Sequence, residues 1–252
     1  MSKLADAIRR SQRIEAAPMG FGAARPAPRP SMLAGFLGRA ADVAAARAAG
    51  ADLVVADSRR AAPAKGDLAK LRAAAADLPL GAWTPVAGAA AARELRQAGI
   101  DFLVLEPEST AASVLLDDDL GYVLVLPESP DEPFLRSLES LHLEALYLSP
   151  RPWSGPLTVA AQVELSRVHL ISRRPLLCEV APDATADDLQ CLRSVGVAAL
   201  LVASVDGIAR LKETIAALPP RRQRREERPV LSLPRGQAPA VEDDDDDDRL
   251  AR

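Results

Sequence analysis

A unit made of a short apolar run and an alanine- and leucine-rich stretch recurs eight times along this 252-residue chain. The runs are MLAGFLG from position 32, ADLVVAD from 51, PLGAWTP from 79, IDFLVLEP from 100, YVLVLPE from 122, EALYLSP from 144, PLLCEVA from 175 and VAALLVAS from 197. Each is nearly continuous in its hydrophobicity, which is typical of a β-strand buried on both faces. Three of the intervening stretches end in Gly50, Gly99 and Gly196, and glycine commonly follows a helix C-terminus.

The spacing of these units predicts the fold class. Successive runs begin roughly 20 to 31 residues apart, the length of one strand–helix unit. Eight such units predict an α/β protein with a closed (β/α)8 TIM barrel. The alternative is an open, doubly wound sheet, but no glycine fingerprint of the dinucleotide-binding type follows any strand.

The chain divides into three parts by composition. Residues 1–30 form a short N-terminal helix, whose apolar face we expect to pack on the main domain, and a Gly- and Pro-rich link. We expect the link to close the lower face of the barrel with Met19 and Phe21. Residues 31–218 are the barrel, and residues 219–252 are a tail with opposite charge blocks, RRQRREER and DDDDDD, and few apolar residues. Such a tail cannot bury a core, so we expect it to be disordered.

Composition excludes several classes of function. Lys+Arg 31 against Asp+Glu 35 gives a net charge of −4, and aromatic residues make up 3% of the chain, so a nucleic-acid partner is not expected. No apolar run reaches the roughly 18 residues that span a bilayer, so we expect no membrane insertion. Two cysteines make no disulfide framework, and a cytoplasmic location is expected.

The segments AGADLVVAD, AGIDFLVLEP and VGVAALLVAS, which begin at residues 49, 98 and 195, carry a family resemblance. They resemble strands of aldolase-type and phosphate-binding TIM barrels, such as thiamine-phosphate synthase and indole-glycerol-phosphate synthase. The resemblance lies in framework residues and therefore implies a fold rather than an activity. Such enzymes usually hold a phosphate with paired glycines after strands seven and eight. Here those loops read EVAPDATADD and ASVDGIAR, without the paired glycines.

Carboxylates at the predicted strand ends are the candidate catalytic residues. Active sites of TIM barrels lie at the carboxyl ends of the strands, and Glu106, Glu128 and Glu179 lie within or just after strands four, five and seven. Together with Asp57 they could ligate Mg²⁺ or Mn²⁺, and such an ion could stabilise an enolate. The alternative is that each carboxylate bonds to loop amides or to an arginine.

Two loops supply the candidate ligand-binding cations. Arg59 and Arg60 follow strand two, while Arg151 and Trp153 follow strand six, on the opposite side of an eight-stranded barrel. The arginines could grip an anionic ligand from two sides, since a guanidinium pairs with carboxylate or phosphate through two hydrogen bonds. The alternative is that these arginines pair with nearby acids and tie the loops down. The full predicted ligand-binding set is Asp57, Arg59, Arg60, Thr84, Ser149, Arg151, Trp153 and Ser204.

Several common mechanisms lack their main residue. His142 and His169 fall nearer the lower face, no lysine ends a strand, and Cys178 lies in an apolar run without a histidine close in sequence. Two functions stay open. The first is a small-molecule lyase or isomerase that acts on an anionic metabolite at the barrel mouth, with or without a divalent metal. The second is a non-catalytic barrel that binds partners, with the charged tail as a contact region.

Overall fold

The structure is a computed structural model that describes residues 2–12, 31–60, 65–153 and 156–219. Its centre is a closed barrel of eight parallel strands in the order β1 to β8. The strands are β1 Leu33–Gly38, β2 Leu53–Asp57, β3 Leu80–Trp83, β4 Phe102–Leu105, β5 Gly121–Leu126, β6 Ala145–Trp153, β7 Leu176–Val180 and β8 Val197–Val202. The predicted closed (β/α)8 barrel is therefore confirmed, and β8 pairs with β1 to complete it.

Eight α-helices lie in the described part of the chain. They are α1 Lys3–Gln12, α2 Val43–Ala48, α3 Lys65–Ala75, α4 Ala89–Gln97, α5 Glu132–Ser137, α6 Val159–Ser172, α7 Ala186–Ser194 and α8 Val205–Ala217. The glycines predicted to follow helices have φ angles of +92° at Gly50, +91° at Gly99 and +91° at Gly196. Because an L side chain is strained there, these positions favour glycine.

The fourth connection departs from the regular pattern. Between β4 and β5 the chain forms a 3₁₀ helix, Ala112–Leu116, where the other units have an α-helix. Its sequence continues into Asp117, Asp118 and Asp119, and aspartate is a poor residue for a helix interior. The carboxylate of Asp117 instead accepts hydrogen bonds from Arg96 and from the Asp119 amide, which fixes the turn into β5.

The strands are buried on both faces because two cores meet there. Alternate residues, such as Leu53, Phe102 and Leu201, form one core inside the barrel, and the intervening residues pack against the surrounding helices. Glycine makes room where the interior is tightest. A Cβ atom at Gly81 would lie 2.4 Å from the ring of Phe102, so a larger residue there would displace the ring.

Helix α1 packs at the amino end of the barrel. Its side chains Leu4, Ala7 and Ile8 are buried and belong to the interior core. The carboxylate of Asp101, just before β4, accepts hydrogen bonds from the Lys3 and Leu4 amides at 2.8 and 3.0 Å. Packing of the apolar face of this helix on the main domain is thus confirmed for the described residues.

Parts of the predicted organisation lie outside the described residues. These are residues 13–30, which include Met19 and Phe21 of the link, and the charged tail from residue 220. Among the described helices, none is both long and apolar enough to cross a membrane.

Candidate active site at the carboxyl end of the barrel

The side chains at the carboxyl end of the barrel come from five strands. Asp57 and Trp83 are the last residues of β2 and β3, and Glu106 directly follows β4. Tyr147 and Glu179 lie in β6 and β7. Trp83 and Tyr147 belong to the interior core, so they close the upper part of the barrel interior.

Arg59 and Asp57 form an ion pair that stacks on the indole ring of Trp83. Arg59 donates to Asp57 through Nε at 3.0 Å and Nη2 at 2.7 Å, a two-pronged pairing that fixes the plane of the guanidinium. The guanidinium carbon lies 4.2 Å from the centroid of the Trp83 ring, within cation–π distance. Arg59 is therefore held by a carboxylate at one edge and by an aromatic face beneath it.

The indole of Trp83 also connects the strands. Its Nε1 donates to Oε1 of Glu106 at 3.1 Å, and the Ser109 hydroxyl donates to Oε2 at 3.3 Å. The rings of Trp83 and Tyr147 meet edge to face, with centroids 4.9 Å apart and planes at 71°. Glu106 is thus positioned by two neutral donors across the end of β3 and β4.

Tyr147 positions the second carboxylate. Its hydroxyl donates to Oε2 of Glu179 at 3.2 Å. Burial first, and then the charge of Glu179, raise the pKa of Tyr147 well above its usual value. The phenol therefore stays protonated at neutral pH and remains a hydrogen-bond donor to the carboxylate.

Electrostatic coupling within the cluster is strongest between Asp57 and Arg59. The hydrogen bond from Arg59 lowers the pKa of Asp57, and the same bond raises the pKa of Arg59. The negative charge of Glu106 also raises the pKa of Arg59. The pairing of Arg59 with Asp57 is the loop-fixing alternative considered from the sequence, and the structure adds the stacking on Trp83.

Other predicted residues lie elsewhere on this rim. Arg60 and Glu128 are exposed in the turns after β2 and β5. The Ser204 hydroxyl accepts a hydrogen bond from the Gly207 amide at 3.0 Å and so caps α8. Thr84 is buried, and its Oγ1 has no hydrogen-bond partner within the described part of the chain. A ligand contact at any of these positions stays a prediction.

The end of β6 carries the remaining predicted residues, which the sequence predicted at the strand end and in the loop after it. The backbone of Ser149, Arg151 and Trp153 forms the end of β6, where the pairing with β7 becomes irregular between Leu148 and Trp153. The side chains of these three residues lie outside the described part of the structure. A clamp of Arg59 and Arg151 across the mouth is therefore still a prediction.

The described acids do not fit a divalent metal centre. No three His, Cys, Asp or Glu side chains are grouped closely enough to hold an ion within the described ranges. Glu106 and Glu179 are instead directed to the indole of Trp83 and the phenol of Tyr147. We therefore derive no step through Mg²⁺ or Mn²⁺.

Sequence reasoning missed Tyr147 as a site residue, although a signal was present. Residues two apart on a strand face the same side, so a β6 beginning at Ala145 places Tyr147 inside the barrel near its carboxyl end.

Cys178, by contrast, is a core residue as expected. It is buried, and burial raises the pKa of its thiol to about 12.

Comparison with known proteins supports the fold and no particular family. No protein-family model matches the sequence, and no curated protein matches it. Among solved structures, a thiamine phosphate pyrophosphorylase from Pyrococcus furiosus is similar at 13% identity, with a TM-score of 0.54 over 74% of this chain and 96% of the other. The HpcH/HpaI aldolase from Desulfitobacterium hafniense matches at 15% identity and 0.52 over 75% and 94%.

A third similar structure is the phosphoribosyl anthranilate isomerase from Thermus thermophilus. It is 17% identical, with a TM-score of 0.54 over 75% of this chain and 100% of the other. At such identities the likeness concerns the fold alone. The chain is thus a TIM barrel whose structural neighbours are aldolase-type and phosphate-binding enzymes, as the framework resemblance implied.

Proposed function

We propose that this chain is a small-molecule enzyme of the aldolase-barrel type, a lyase or isomerase, that acts on an anionic metabolite at the barrel mouth. The observation that carries the proposal is the position of Arg59. Its guanidinium is fixed by Asp57 and Trp83, and its pKa responds to the charge of Glu106. A fixed cation beside carboxylates suits a reaction in which negative charge develops next to a proton-transfer group.

Arg59 would bind the anion through its remaining hydrogen-bond donors. The Nε and Nη2 atoms are used by Asp57, whereas Nη1 bonds to no acceptor in the described ranges. An oxygen of a carboxylate or phosphate can accept from this second edge of the guanidinium. The side chain of Arg59 is 43% exposed, so a ligand can reach it from solvent. Arg60 and Arg151 would add charge from the flanking loops.

Glu179 is the proposed general base. One of its oxygens accepts from Tyr147, and its Oε1 bonds to no described residue, so this oxygen can take a proton. In the proposed step a C–H bond next to a substrate carbonyl breaks and the proton moves to Glu179. The electron pair moves onto the carbonyl oxygen, where Arg59 stabilises the negative charge. Glu179 then gives this proton back to a neighbouring substrate carbon or to the leaving group, which restores its carboxylate, and Glu106, held by Trp83 and Ser109, would orient the substrate.

The structural neighbours support this class of reaction. They include an aldolase and an isomerase on the same fold, although the low identities transfer no substrate. Because the chain has only two cysteines, of which Cys178 is a buried free thiol, we also propose a cytoplasmic location.

A thermal-shift screen tests the proposal. Purified protein is heated with phosphorylated and carboxylated metabolites, in the presence and absence of Mg²⁺. A ligand at a hundred times its Kd stabilises a folded protein by about 2.7 kcal/mol, so a genuine ligand raises the Tm measurably. The expected result is a hit that Arg59→Gln abolishes and Arg39→Gln retains. Arg39 is the matched control because it also pairs with an acid, Asp42, after a barrel strand.

Three results would contradict the proposal. A hit that persists in Arg59→Gln would place the ligand elsewhere, and a hit that requires Mg²⁺ would contradict a metal-free arrangement. If no metabolite in the panel raises the Tm, the alternative is favoured, namely a non-catalytic barrel that binds partners.

A further inference from the structure

The ends of β7 and β8 are the place where barrels of this type often hold a phosphate group, against the following loops and a helix N-terminus. In this chain residues 181–185 and 203–204 form these loops, and they lead into α7 and α8. The backbone amides of a helix N-terminus bind an anion when they are free and accessible. The contacts at these two helix starts therefore bear on the kind of anion that the barrel mouth accepts.

The start of α8 is closed by contacts within the chain. Oγ of Ser204 accepts from the Gly207 amide at 3.0 Å, which satisfies a donor that a phosphate would otherwise use. Gly207 is buried, and a Cβ atom built on it would lie 3.2 Å from Cβ of Pro182, so the loop after β7 packs on the first turn of α8. Asp206 is exposed in the same turn. A phosphate group would meet a bonded amide and a carboxylate here.

The start of α7 is closed by a capping box. Oγ1 of Thr185 accepts from the Asp188 amide at 3.2 Å, and the Asp188 carboxylate accepts from the Thr185 amide at 3.3 Å. The other carboxylate oxygen of Asp188 accepts from the Leu157 amide at 2.8 Å. The hydrogen bond from Leu157, and then that from Thr185, lower the pKa of Asp188, so it is ionised at neutral pH. The position that complements the helix dipole already holds a negative side chain.

The sequence around both helix starts is negatively charged. The segments APDATADDLQ, residues 181–190, and ASVDGIA, residues 203–209, contain four aspartates and no lysine or arginine. Glu179, near the end of β7, adds a carboxylate just before the first segment. A phosphate monoester carries a charge of about −1.5 to −2 at neutral pH, whereas a carboxylate carries a single negative charge. Repulsion at this part of the rim is therefore stronger for a phosphate group.

Arg59, after β2, offers a different kind of anion site. Its bonds to Asp57 leave Nη1 and the second hydrogen of Nη2, which lie side by side at the end of the guanidinium. The two coplanar oxygens of a carboxylate match this pair of donors. A phosphate dianion would bring a larger negative charge near Asp57 and Glu106, so Arg59 would compensate it less completely.

We infer that the substrate of the proposed reaction is a carboxylate without a phosphate group, and that Arg59 binds its carboxylate. This inference rests on the proposed function and narrows the class of substrate. It separates the chain from structural neighbours such as the thiamine phosphate pyrophosphorylase, with which it shares the fold.

Proton–nitrogen NMR of the full chain locates bound phosphate. Inorganic phosphate is titrated at neutral pH while the indole signal of Trp83 and the backbone amide signals of Asp187, Asp206 and Gly207 are followed. The indole signal should shift, because phosphate reaches Arg59 weakly. The three amide signals should not shift, because the starts of α7 and α8 are closed and negatively charged. Saturable shifts of these amides would overturn the inference.

A matched pair of ligands measures the preference for a carboxylate. Malonate and phosphonoacetate differ in one group, since a phosphonate replaces one of the two carboxylates. Followed by the Trp83 indole signal, malonate should bind several-fold more tightly, because it brings less negative charge to Arg59. Both responses should be lost in Arg59→Gln and retained in Arg39→Gln, where the lost cation is also paired with an acid, Asp42.

The outcomes separate this inference from the proposed function. Phosphonoacetate that binds as tightly as malonate, or more tightly, would overturn the inference and leave an anion-binding enzyme in place. A malonate response that persists in Arg59→Gln would place the carboxylate elsewhere and would also overturn it. If phosphate, malonate and phosphonoacetate all leave the Trp83 signal unchanged, the proposed function itself fails and the inference fails with it.

Discussion

The two ends of this barrel differ in what their polar side chains contact. At the amino end, helix α1 inserts Leu4 and Ile8 into the interior core, and the carboxylate of Asp101 accepts from the first amides of the helix. The Glu144 carboxylate accepts from the amide and the hydroxyl of Ser2. Each of these contacts joins the N-terminal segment to the barrel.

At the carboxyl end the polar groups are arranged differently. Arg59 is stacked on Trp83 rather than buried, and Glu106 and Glu179 are held by neutral donors rather than by described cations. Arg59 uses only Nε and Nη2 in its pair with Asp57, and the two glutamates have no described cation beside them, so these partly exposed groups can interact with a ligand. This contrast agrees with a stabilising role for the amino end and with the proposed binding of a ligand at the carboxyl end.

The largest expected effect on stability is at the amino end. Leu4→Ala removes a fully buried side chain from the contact between α1 and the interior core, so the free energy of unfolding should fall by about 2–5 kcal/mol. Urea denaturation measures it. Leu116→Ala, at an exposed leucine, should change it by less than about 0.5 kcal/mol. Equal effects at both leucines would show that α1 does not contribute to the core.

A smaller effect is expected at the carboxyl end. Tyr147→Phe keeps the ring that packs on Trp83 and removes the donor to Glu179, a loss of about 0.5–1.5 kcal/mol in the free energy of unfolding. Ligand binding should suffer more than stability, because Glu179 loses its orientation. Titration calorimetry with a ligand found in the metabolite screen measures the loss of binding, and urea denaturation measures the loss of stability. If binding is intact in Tyr147→Phe while stability collapses, the role of this residue is structural.

The smallest effect depends on pH. Burial raises the pKa of Glu144 above its ordinary value of 4.5, so the folded state binds this proton more tightly than the unfolded state. The resulting stabilisation is present below that value and is lost as the pH rises through the raised pKa. Glu144→Gln does not titrate, so its stability relative to wild type should increase between about pH 4 and about pH 7.

Thermal unfolding across this pH range measures the difference. Glu108→Gln, at an exposed carboxyl after β4, is the control and should follow the wild type. A wild-type protein that gains stability relative to Glu144→Gln with rising pH would contradict the sign of the Glu144 shift.

The fold could be predicted from the sequence because its signal is repeated. Eight apolar runs, and glycines such as Gly50 at helix ends, report the same strand–helix unit independently. The fourth connection was less predictable, since propensity does not separate a short 3₁₀ helix from an α-helix. The packing of α1 on the barrel could be predicted from the apolar face of this helix. Its hydrogen bonds to Asp101 could not, because Asp101 is distant from α1 in the sequence.

The site could be predicted only in part. Strand-end position identified Asp57, Arg59, Glu106 and Glu179, which the structure brings to one end of the barrel. It did not reveal that Trp83 and Tyr147 link them, because hydrogen bonds between strands depend on the stagger of the closed barrel. Ser204 was predicted as a ligand contact from its position at a strand end, and that contact stays a prediction. Its hydroxyl accepts from the Gly207 amide and caps α8, a structural role that strand-end position did not reveal.

The indole resonance of Trp83 offers the most direct test of an anion site at the carboxyl end. The chain has two tryptophans, so Trp153→Phe assigns the Trp83 signal in a proton–nitrogen NMR spectrum. Titration with inorganic phosphate and with oxalate should shift this signal to saturation, because an anion on Arg59 changes the field at the ring beneath it. The shift should vanish in Arg59→Gln and persist in Arg39→Gln. A Trp83 signal that does not move, or that moves equally in Arg59→Gln, would contradict ligand binding at this end of the barrel.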